Sequence, residues 1–381
     1  MVKRQFWLKR LETLWAKRSV VWLSGVRRVG KTTLCQTLPD AEYFDCELPR
    51  VRRALADPEA FLEGVRGRTV VFDEIHRLEN PAELLKIAAD HFRGTRVLAT
   101  GSSTLGASAK FKDTLAGRKA ELWLTPMTLE DLRDFGDPDL RRRFFQGGLP
   151  PFFLSDEVPD KEFQEWMDAF WAKDIQELFR LERRRSFQTF LELLLAQSGG
   201  IFEATRFTAP CEVSRPTVTN YLAVLEATFV AHVVLPFSSR RQSEIVAAPR
   251  VYGFDTGFVC AFRGWHSPLR NEELGRLWEH FVLNELHARL QTRRIHYWRD
   301  KRGHEVDFVW APRGKPPVAI ECKWSADGFD PVNFLSFEPL YPLADLVVVA
   351  ADVERPFTHQ AGGLKIHFVG LEDLVRRLEA H

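Results

Sequence analysis

Short apolar runs alternate with helical patterns over the first 125 residues of the chain. Each run has the length of a short buried strand, and each is followed by a stretch whose apolar residues recur at helical spacing. Strands separated by helices usually pair in parallel, so this rhythm predicts an α/β domain with a parallel sheet. The runs are VVWLS at 20–24, AEYFD at 41–45, TVVFD at 69–73, RVLAT at 96–100 and ELWLT at 121–125.

The pattern changes after a segment rich in Arg, Phe and Pro that includes FQGGLPPFF at 145–153. Two helices are expected at 163–179 and 187–200, the second of which ends at a pair of glycines. A shorter helical unit continues to about residue 235, and strands and helices mix again from Tyr252 onward. We therefore place module boundaries after residues 137, 186 and 248.

The composition is that of a globular protein, because 45% of the 381 residues are hydrophobic and 28% are charged. Lys plus Arg number 53 and Asp plus Glu number 52, so the net charge favours no particular partner. Basic residues nevertheless cluster in two runs of three arginines at 141–143 and 183–185. The five scattered cysteines form no zinc or disulfide pattern, and no run of eighteen apolar residues predicts a membrane span. We expect a cytoplasmic protein without a membrane partner.

A glycine-rich loop, GVRRVGKTT at 25–33, lies directly between the first apolar run and a helical pattern. The glycine spacing followed by Lys31 and Thr32 is, in this context, that of a phosphate-binding loop. Backbone N–H groups of such a loop close around a β-phosphate, the lysine reaches the β- and γ-oxygens, and the threonine hydroxyl completes a Mg²⁺ shell. The residues expected to bind the nucleotide are Gly25, Arg27, Arg28, Gly30, Lys31, Thr32 and Thr33.

Two adjacent acids follow the apolar run at 69–73 and predict hydrolysis. Asp73 would hold Mg²⁺ through water, and Glu74 would orient and polarise the attacking water. No Asn-Lys-x-Asp motif, which recognises guanine, is present, so the sequence favours an ATPase over a GTPase. The run at 96–100 leads into hydroxyl residues, among which Ser102 is the expected sensor of the γ-phosphate. Arg118 is either an ordinary surface arginine or an arginine finger that acts across a subunit contact.

These motifs, together with FDEIH, TGSS, LAGR and GGLP, resemble a family of prokaryotic AAA-type ATPases in which a domain of uncertain function follows the ATPase. The resemblance covers nearly the whole chain. It implies a five-stranded sheet, ATP with Mg²⁺, and a homo-oligomer that completes its sites in trans.

A helix-turn-helix pattern occupies the middle of the chain, with a turn at 212–214 that lacks the glycine often found there. Ser214 is suited to cap the second helix. That helix would bury Val218, Tyr221, Leu222 and Leu225 and turn Arg215, Thr217, Thr219 and Asn220 outward. The arrangement fits a recognition helix in a major groove, followed by a wing strand at VAHVVLPF. Winged-helix units also contact proteins, so both kinds of partner stay open.

Two acidic strands near the C-terminus carry a second candidate site. HEVDFVW at 304–310 and VAIECK at 318–323 alternate strictly, which places Asp307 beside Val309 on one face and Glu321 beside Lys323 on one face. Two carboxylates can bind Mg²⁺ or Mn²⁺ and generate hydroxide, and a nearby lysine can position that water. The spacing resembles the PD-(D/E)xK nuclease pattern, in which a helical glutamate, here Glu279, often joins the site. The alternative to a nuclease site is that these side chains are solvated charges on the strands or form an internal salt bridge.

Together the patterns predict an α/β protein with a P-loop AAA-type parallel sheet at 1–137, a helical lid or linker at 138–186, a winged-helix-like module at 187–248 and a mixed α/β, restriction-endonuclease-like domain at 249–381. The favoured function is ATP hydrolysis that drives or gates action on DNA, with metal-dependent cleavage. Thr32 and Asp73 would hold one metal, and Asp307 and Glu321 the other. The alternatives are an ATP-switched DNA- or protein-binding regulator whose nuclease-like fold is inactive, and a signalling ATPase that binds only proteins.

Overall fold

The computed structural model describes residues 1–101, 109–157, 160–176, 179, 181, 183–238 and 248–380. Contacts divide the chain into two units. The first unit comprises Met1–Asp139, Gly148–Glu182 and Ala223–Val230. The second comprises Leu140–Gly147, Arg183–Leu222 and Ala231–His381.

The first unit is built on a parallel sheet. Its strands are β1 (Val20–Ser24), β2 (Ala41–Asp45), β3 (Thr69–Asp73), β4 (Arg96–Thr100) and β5 (Lys119–Trp123), in the spatial order β2-β3-β4-β1-β5. Helices α1 to α10 are α1 (Gln5–Trp15), α2 (Lys31–Gln36), α3 (Pro49–Ala54), α4 (Pro58–Gly64), α5 (Pro81–His91), α6 (Ala109–Thr114), α7 (Leu129–Asp134), α8 (Leu140–Gln146, in the second unit), α9 (Pro150–Phe153) and α10 (Asp160–Phe170). A π-helical segment, Trp171–Gln176, follows α10.

The central strands of this sheet are apolar almost throughout, because crossover helices cover the faces of a parallel sheet. All five residues of β1 are buried, as are four of the five in β3 and in β4. The predicted α/β fold with a parallel sheet is confirmed in this unit. Strands β1 to β4 have the predicted bounds, whereas β5 begins at Lys119 rather than at residue 121.

The second unit contains a mixed sheet with the spatial order β13-β14-β12-β11-β10-β9-β7-β8-β6 among the described residues. Its strands are β6 (Gly200–Ile201), β7 (Ala231–Pro236), β8 (Arg250–Gly253), β9 (His296–Arg299), β10 (Glu305–Trp310), β11 (Val318–Lys323), β12 (Asp345–Ala350), β13 (Phe357–Ala361) and β14 (Leu364–Val369). Its further helices are α11 (Arg184–Ala196), α12 (Ala204–Cys211), α13 (Arg215–Ala227, which begins here), α14 (Thr256–Arg263), α15 (Asn271–Leu290), α16 (Val332–Phe337) and α17 (Leu371–Ala380). The predicted combination of helical elements with a mixed sheet is therefore confirmed.

The strict alternation expected in β10 is wrong. The pairing of β10 with β9 shifts register between Val306 and Val309, and both of these valines pack in the same apolar cluster. An irregularity of this kind changes which face the following residues occupy. Val309 therefore lies in the core with Val306 instead of beside Asp307 on a polar face.

The turn between α12 and α13 has a left-handed residue where a glycine is often found. Glu212 has φ 54° and ψ 39°, and its carbonyl accepts a hydrogen bond of 3.3 Å from Arg183 Nη1. Ser214 accepts a hydrogen bond of 3.4 Å from the Thr217 N–H, as expected of a helix cap. Side chains on α13 follow the predicted faces, except that Thr217 is half-buried.

Glu212→Gly should stabilise the protein by about 0.5–1 kcal/mol, because the left-handed conformation strains a residue with a Cβ more than it strains glycine. Urea unfolding measures the difference. The exposed Glu354 has no such backbone angle, so Glu354→Gly should not stabilise. Equal effects of the two substitutions would show that strain at Glu212 contributes nothing.

No helix among the described residues is both long and apolar enough to cross a membrane.

Candidate functional site

The phosphate-loop candidate connects β1 to α2 through unusual backbone conformations. Gly25, Arg28 and Gly30 have φ angles of 146°, 63° and 99°. A Cβ on Gly25 would lie 2.4 Å from the Leu124 carbonyl oxygen, so this position has room only for glycine. The loop thus obtains its tight path from the glycines that the sequence motif contains.

The loop borders a cavity of about 410 Å³, within the size range of small-ligand sites. Every loop residue predicted to bind the nucleotide lines it, and so does Glu74. The described residues of the lining are Gly25, Arg27, Arg28, Gly30, Lys31, Thr32, Thr33, Glu47, Glu74, His76, Arg77, Gly101, Pro150, Pro151, Lys173 and Asp174. Ser102, the expected sensor, lies outside the described residues.

Lys31 is oriented by the loop itself. Its Nζ donates hydrogen bonds to the carbonyl oxygens of Gly25 and Val26, at 2.9 and 3.1 Å. Burial lowers the pKa of Lys31, although the negative charges of Glu74 and Asp174 oppose that shift. An incoming phosphate would offer this ammonium stronger, charged acceptors than the carbonyls.

Asp73 lies behind the cavity lining at the end of β3. Its two carboxylate oxygens accept hydrogen bonds from the hydroxyls of Tyr43, at 2.6 Å, and Thr100. Thr32, on the cavity wall, is exposed. Hydroxyl and carboxylate oxygens are the ligands that Mg²⁺ prefers, usually with several retained waters. Thr32 and Asp73 therefore offer oxygen donors of the kind that Mg²⁺ binds, and their role in holding the metal stays a prediction.

Glu74 has a left-handed backbone, with φ 52° and ψ 44°. Its N–H donates to Thr100 Oγ1 at 3.1 Å, and its carboxylate lies 3.1 Å from His76 Nδ1. Burial by itself would raise the pKa of Glu74, but the hydrogen bond to His76 and the charge of Lys31 lower it. Glu74 is thus held as an anion that can accept a hydrogen bond from water in the cavity.

Sequence reasoning missed Asp174, which lines the same cavity from the π-helical segment. Its carboxylate lies 3.4 Å from Arg27 Nε, although 147 residues separate the two along the chain. Burial raises the pKa of Asp174, against the opposing charges of Arg27 and Lys31. Trp166 from α10 also donates to the Arg27 carbonyl, at 3.0 Å. No local pattern marks an acid on a helix so distant in sequence.

A buried ion pair between Arg4 and Asp131 is hydrogen-bonded to the phosphate loop. Arg4 donates two hydrogen bonds of 2.7 Å to the carboxylate of Asp131 and a third, of 2.9 Å, to the carbonyl of Val29 in the loop. Trp7 Nε1 donates to the same carboxylate at 3.1 Å. Both charged side chains are at most 4% exposed. The start of α1 is therefore tied to the phosphate loop through fixed hydrogen bonds.

Arg118 does not line the cavity. Its Nε lies 2.9 Å from Asp90 in a half-exposed ion pair within the first unit. A finger would act on a neighbouring subunit, so this position does not test the hypothesis, which stays a prediction.

The acidic strands of the second unit bring Asp307, Glu321 and Lys323 together. Lys323 Nζ lies 3.1 Å from Glu321, and Asn333 donates to the other Glu321 oxygen at 3.2 Å. Asp307 accepts the Cys322 N–H at 2.8 Å. Burial, followed by the charge of Asp307, raises the pKa of Glu321 to about 8.

Glu279 joins this cluster through an arginine that sequence reasoning did not single out. Arg250 lies 3.3 Å from Glu279 and 3.8 Å from Asp307, and it also pairs with Glu305. The Tyr252 hydroxyl donates to Glu279 as well. Burial and the charge of Asp307 raise the pKa of Glu279 to about 7. The guanidinium would therefore compete with a metal ion for these carboxylates.

We also searched the described part of the chain for clusters of side chains that could hold a metal ion. No group of three or more His, Cys, Asp or Glu side chains there has the arrangement of a metal site. At the acidic strands the predicted ligand pair is Asp307 and Glu321, and Arg250 lies 3.8 Å from Asp307.

The two predicted arginine runs differ in exposure. Arg143 is fully buried, with Nη1 2.8 Å from the Thr256 hydroxyl and its guanidinium over the ring of Phe281. Arg143 therefore cannot contact a nucleic-acid backbone, whereas Arg141 in the same run is exposed. The run at 183–185 is exposed, and Arg183 contacts the turn before α13.

The chain matches three families in succession. Residues 17–132 match the family described as AAA domain. Residues 137–269 match a domain of unknown function, DUF8612, and residues 274–365 match another, DUF4143.

Two uncharacterised proteins, from Mycobacterium tuberculosis and Mycobacterium bovis, are each 28% identical over 327 residues, covering 83% of this chain and 73% of the relative. Among solved structures, a Walker-type ATPase of Pyrococcus abyssi is 16% identical with a TM-score of 0.41, covering 69% of this chain and 96% of that chain. The DNA clamp loader delta protein of Bacillus subtilis is 12% identical with a TM-score of 0.27, covering 74% and 98%. Both TM-scores lie below 0.5, so the AAA assignment rests on the match of residues 17–132.

Proposed function

Because residues 17–132 form an AAA-type P-loop ATPase domain, we propose that the protein hydrolyses ATP with the residues of the first-unit cavity and uses this hydrolysis to control binding of nucleic acid by the second unit. The observation that carries the ATPase part is the arrangement of the loop residues and Glu74 around one cavity. The loop binds the phosphates, Lys31 contacts the β- and γ-oxygens, and Glu74 polarises water.

Each group in the cavity has a distinct task in this proposal. Thr32 and Asp73 would hold Mg²⁺, which supplies charge neutralisation for the phosphates when bound. Arg27 would exchange Asp174 for a phosphate oxygen, because a guanidinium binds phosphate with two parallel hydrogen bonds. A homo-oligomer that supplies Arg118 in trans belongs to the same proposal.

Support for a nucleic-acid partner comes from the exposed face formed by the arginines at 183–185 and the first turns of α13. Arg215, Thr219 and Asn220 are exposed there, and the hydrogen bond from Arg183 to Glu212 brings the arginine run to this helix end. The element order α11, β6, α12, α13, β7, β8 is compatible with the proposed winged helix, whose later helix would enter the major groove. Exposed arginines beside such a helix are suited to phosphate contacts.

Nucleic-acid binding should therefore weaken steeply with salt, because each phosphate contact releases counterions. Four contacts predict a loss of about a hundredfold between 50 and 200 mM salt. Fluorescence anisotropy with labelled double-stranded DNA, single-stranded DNA and RNA, each with and without ATP, measures this loss and identifies the preferred strand. Arg215→Ala with Asn220→Ala should weaken binding further.

The matched control is Arg313→Ala, which removes another exposed arginine of the second unit. It should leave affinity nearly unchanged. Binding that ignores salt, or equal affinities for the double variant and the control, would favour a protein partner over nucleic acid.

A second candidate activity is metal-dependent cleavage of nucleic acid at Asp307, Glu321 and Lys323. Their proximity favours it, because two carboxylates with a neighbouring lysine can hold a metal and position water. Arg250 opposes it, because its guanidinium already pairs with Glu279 and lies 3.8 Å from Asp307. If this ion pairing persists with substrate, the cluster is an inactive platform that stabilises the domain.

Cleavage assays with Mg²⁺ or Mn²⁺ distinguish these two roles. If the cluster is catalytic, Asp307→Ala should abolish cleavage while ATP hydrolysis continues, and Lys323→Ala should lose cleavage but keep metal affinity. Absence of cleavage by the unmodified protein under every metal and nucleotide condition would leave the platform role.

A further inference from the structure

A second cavity, of about 250 Å³, lies within the second unit. Its wall includes Gly199, Arg263, Trp265, Arg276 and His280, which we call the arginine pocket. They come from the residues after α11, from α14 and the residues after it, and from α15. None of these five residues has a role in the proposed ATPase, nucleic-acid or cleavage sites.

Two arginines of the pocket have no acidic partner among the described residues. Arg263 donates from Nη2 to the Ser198 carbonyl at 3.1 Å, and its Nε has no hydrogen-bond partner although it is buried. Arg276 is exposed and makes no described ion pair. Burial, together with the charge of Arg276, lowers the pKa of Arg263. Like charges thus face one cavity without neutralisation, and an anion between them would relieve both the repulsion and the unpaired Nε.

The rest of the wall includes an aromatic side chain beside the cationic part. The guanidinium of Arg263 lies 4.8 Å from the centre of the Trp265 ring, so a flat surface borders the cationic part. A Cβ on Gly199 would lie 3.3 Å from Tyr252, so the wall is tightly packed at this position.

His280 adds a directional acceptor. Burial lowers the pKa of His280 to about 3, so its ring is neutral near pH 7. The ring forms a hydrogen bond with the Gly253 backbone, whereas Nε2 is buried and has no partner. A neutral imidazole that donates from one nitrogen accepts at the other. A ligand hydroxyl would satisfy Nε2.

Glu279, which also borders the cavity, does not exclude an anion. Its carboxylate accepts hydrogen bonds from Arg250 and Tyr252. Among the lining residues, the three arginines Arg250, Arg263 and Arg276 outnumber this one carboxylate, so the wall carries a net positive charge.

We propose that the arginine pocket binds a small phosphate monoester that carries free hydroxyl groups, of the sugar-phosphate class. The guanidinium groups of Arg263 and Arg276 hold the phosphate, and His280 Nε2 accepts a hydrogen bond from a hydroxyl. This binding requires neither ATP hydrolysis nor nucleic-acid cleavage.

Calorimetric titration with ribose 5-phosphate tests the proposal. The parent protein carries Lys31→Ala, which removes the main phosphate contact of the other cavity. Ribose 5-phosphate should bind this parent more tightly than inorganic phosphate does, and ribose should not bind measurably. Arg276→Ala should raise the Kd about tenfold or more, as expected for loss of a charge-assisted hydrogen bond.

Three further variants separate recognition from folding. Arg302→Ala removes an exposed arginine elsewhere in the unit and should leave the Kd unchanged. Arg263→Ala should act like Arg276→Ala, and thermal unfolding shows whether this less exposed site still folds. His280→Phe should reduce the preference for ribose 5-phosphate over inorganic phosphate. Absence of binding to the parent, or an unchanged Kd in Arg276→Ala, would overturn the proposal.

Discussion

Glu74→Gln should bind ATP with nearly unchanged affinity but hydrolyse it about 10²–10⁴-fold more slowly, the usual contribution of a group that activates water. The amide cannot polarise water as the carboxylate does, while the loop that binds phosphate is untouched. Lys31→Ala should instead weaken ATP binding as well as turnover, because Lys31 contacts the phosphates. Steady-state hydrolysis and equilibrium binding of ATP separate the two effects.

Glu79→Gln is the matched control, since Glu79 is an exposed acid that lies outside the cavity lining. Its turnover should equal that of the unmodified protein. Full activity in Glu74→Gln would remove this residue from the mechanism, and another water-activating group would have to be sought.

Asp131→Ala should lower the free energy of unfolding by about 3–5 kcal/mol, the usual cost of leaving one member of a buried ion pair without its partner. The substitution strands the Arg4 guanidinium, which is 4% exposed, and removes the acceptor of Trp7 Nε1. Because Arg4 also binds the Val29 carbonyl, ATP affinity should fall too. Urea unfolding monitored by fluorescence, with ATP binding under native conditions, measures both changes.

The pH dependence of this pair has a definite sign. Burial would raise the pKa of Asp131, but the charge and hydrogen bonds of Arg4 outweigh it and the pKa is lowered. The pair therefore stabilises the fold above the unfolded-state pKa of about 3.9, and this contribution disappears as the pH falls through the lower folded value. In Asp131→Ala the free energy of unfolding should therefore depend less on pH in the acid range. Asp90→Ala, which breaks the half-exposed pair with Arg118, should alter neither stability nor its pH dependence appreciably; equal effects of both substitutions would contradict the assignment.

The local sequence pattern was sufficient to predict the central strands and the phosphate loop of the first unit. The apolar runs located β1 to β4 because buried parallel strands have few polar residues, and the glycine spacing located the loop because its backbone angles require glycine. The sequence predicted Glu74 from its position after β3, and the structure places it on the cavity wall. Its role in hydrolysis stays a prediction.

The site residues that the sequence pattern did not predict contact partners far away along the chain. Asp174 and Arg250 reach their partners across 147 and 29 residues or more, and no periodicity records such distances. The irregularity in β10 is invisible for a related reason, since an apolar-polar alternation fits a regular and an irregular strand equally well. Glu212 shows the converse, because the turn keeps its left-handed geometry without the glycine that usually marks it.

The parallel pairing of β7 with β9, through Leu235 with His296 and Pro236 with Tyr297, limits how the second unit can be divided. A fragment that begins at residue 249 would keep β8 to β14 but lose β6 and β7. One side of β9 would then have unsatisfied backbone N–H and C=O groups. Open edges of this kind recruit strands from other molecules. Such a fragment should self-associate, so dissection of the acidic strands is better attempted with point substitutions in the full chain than with an isolated C-terminal piece.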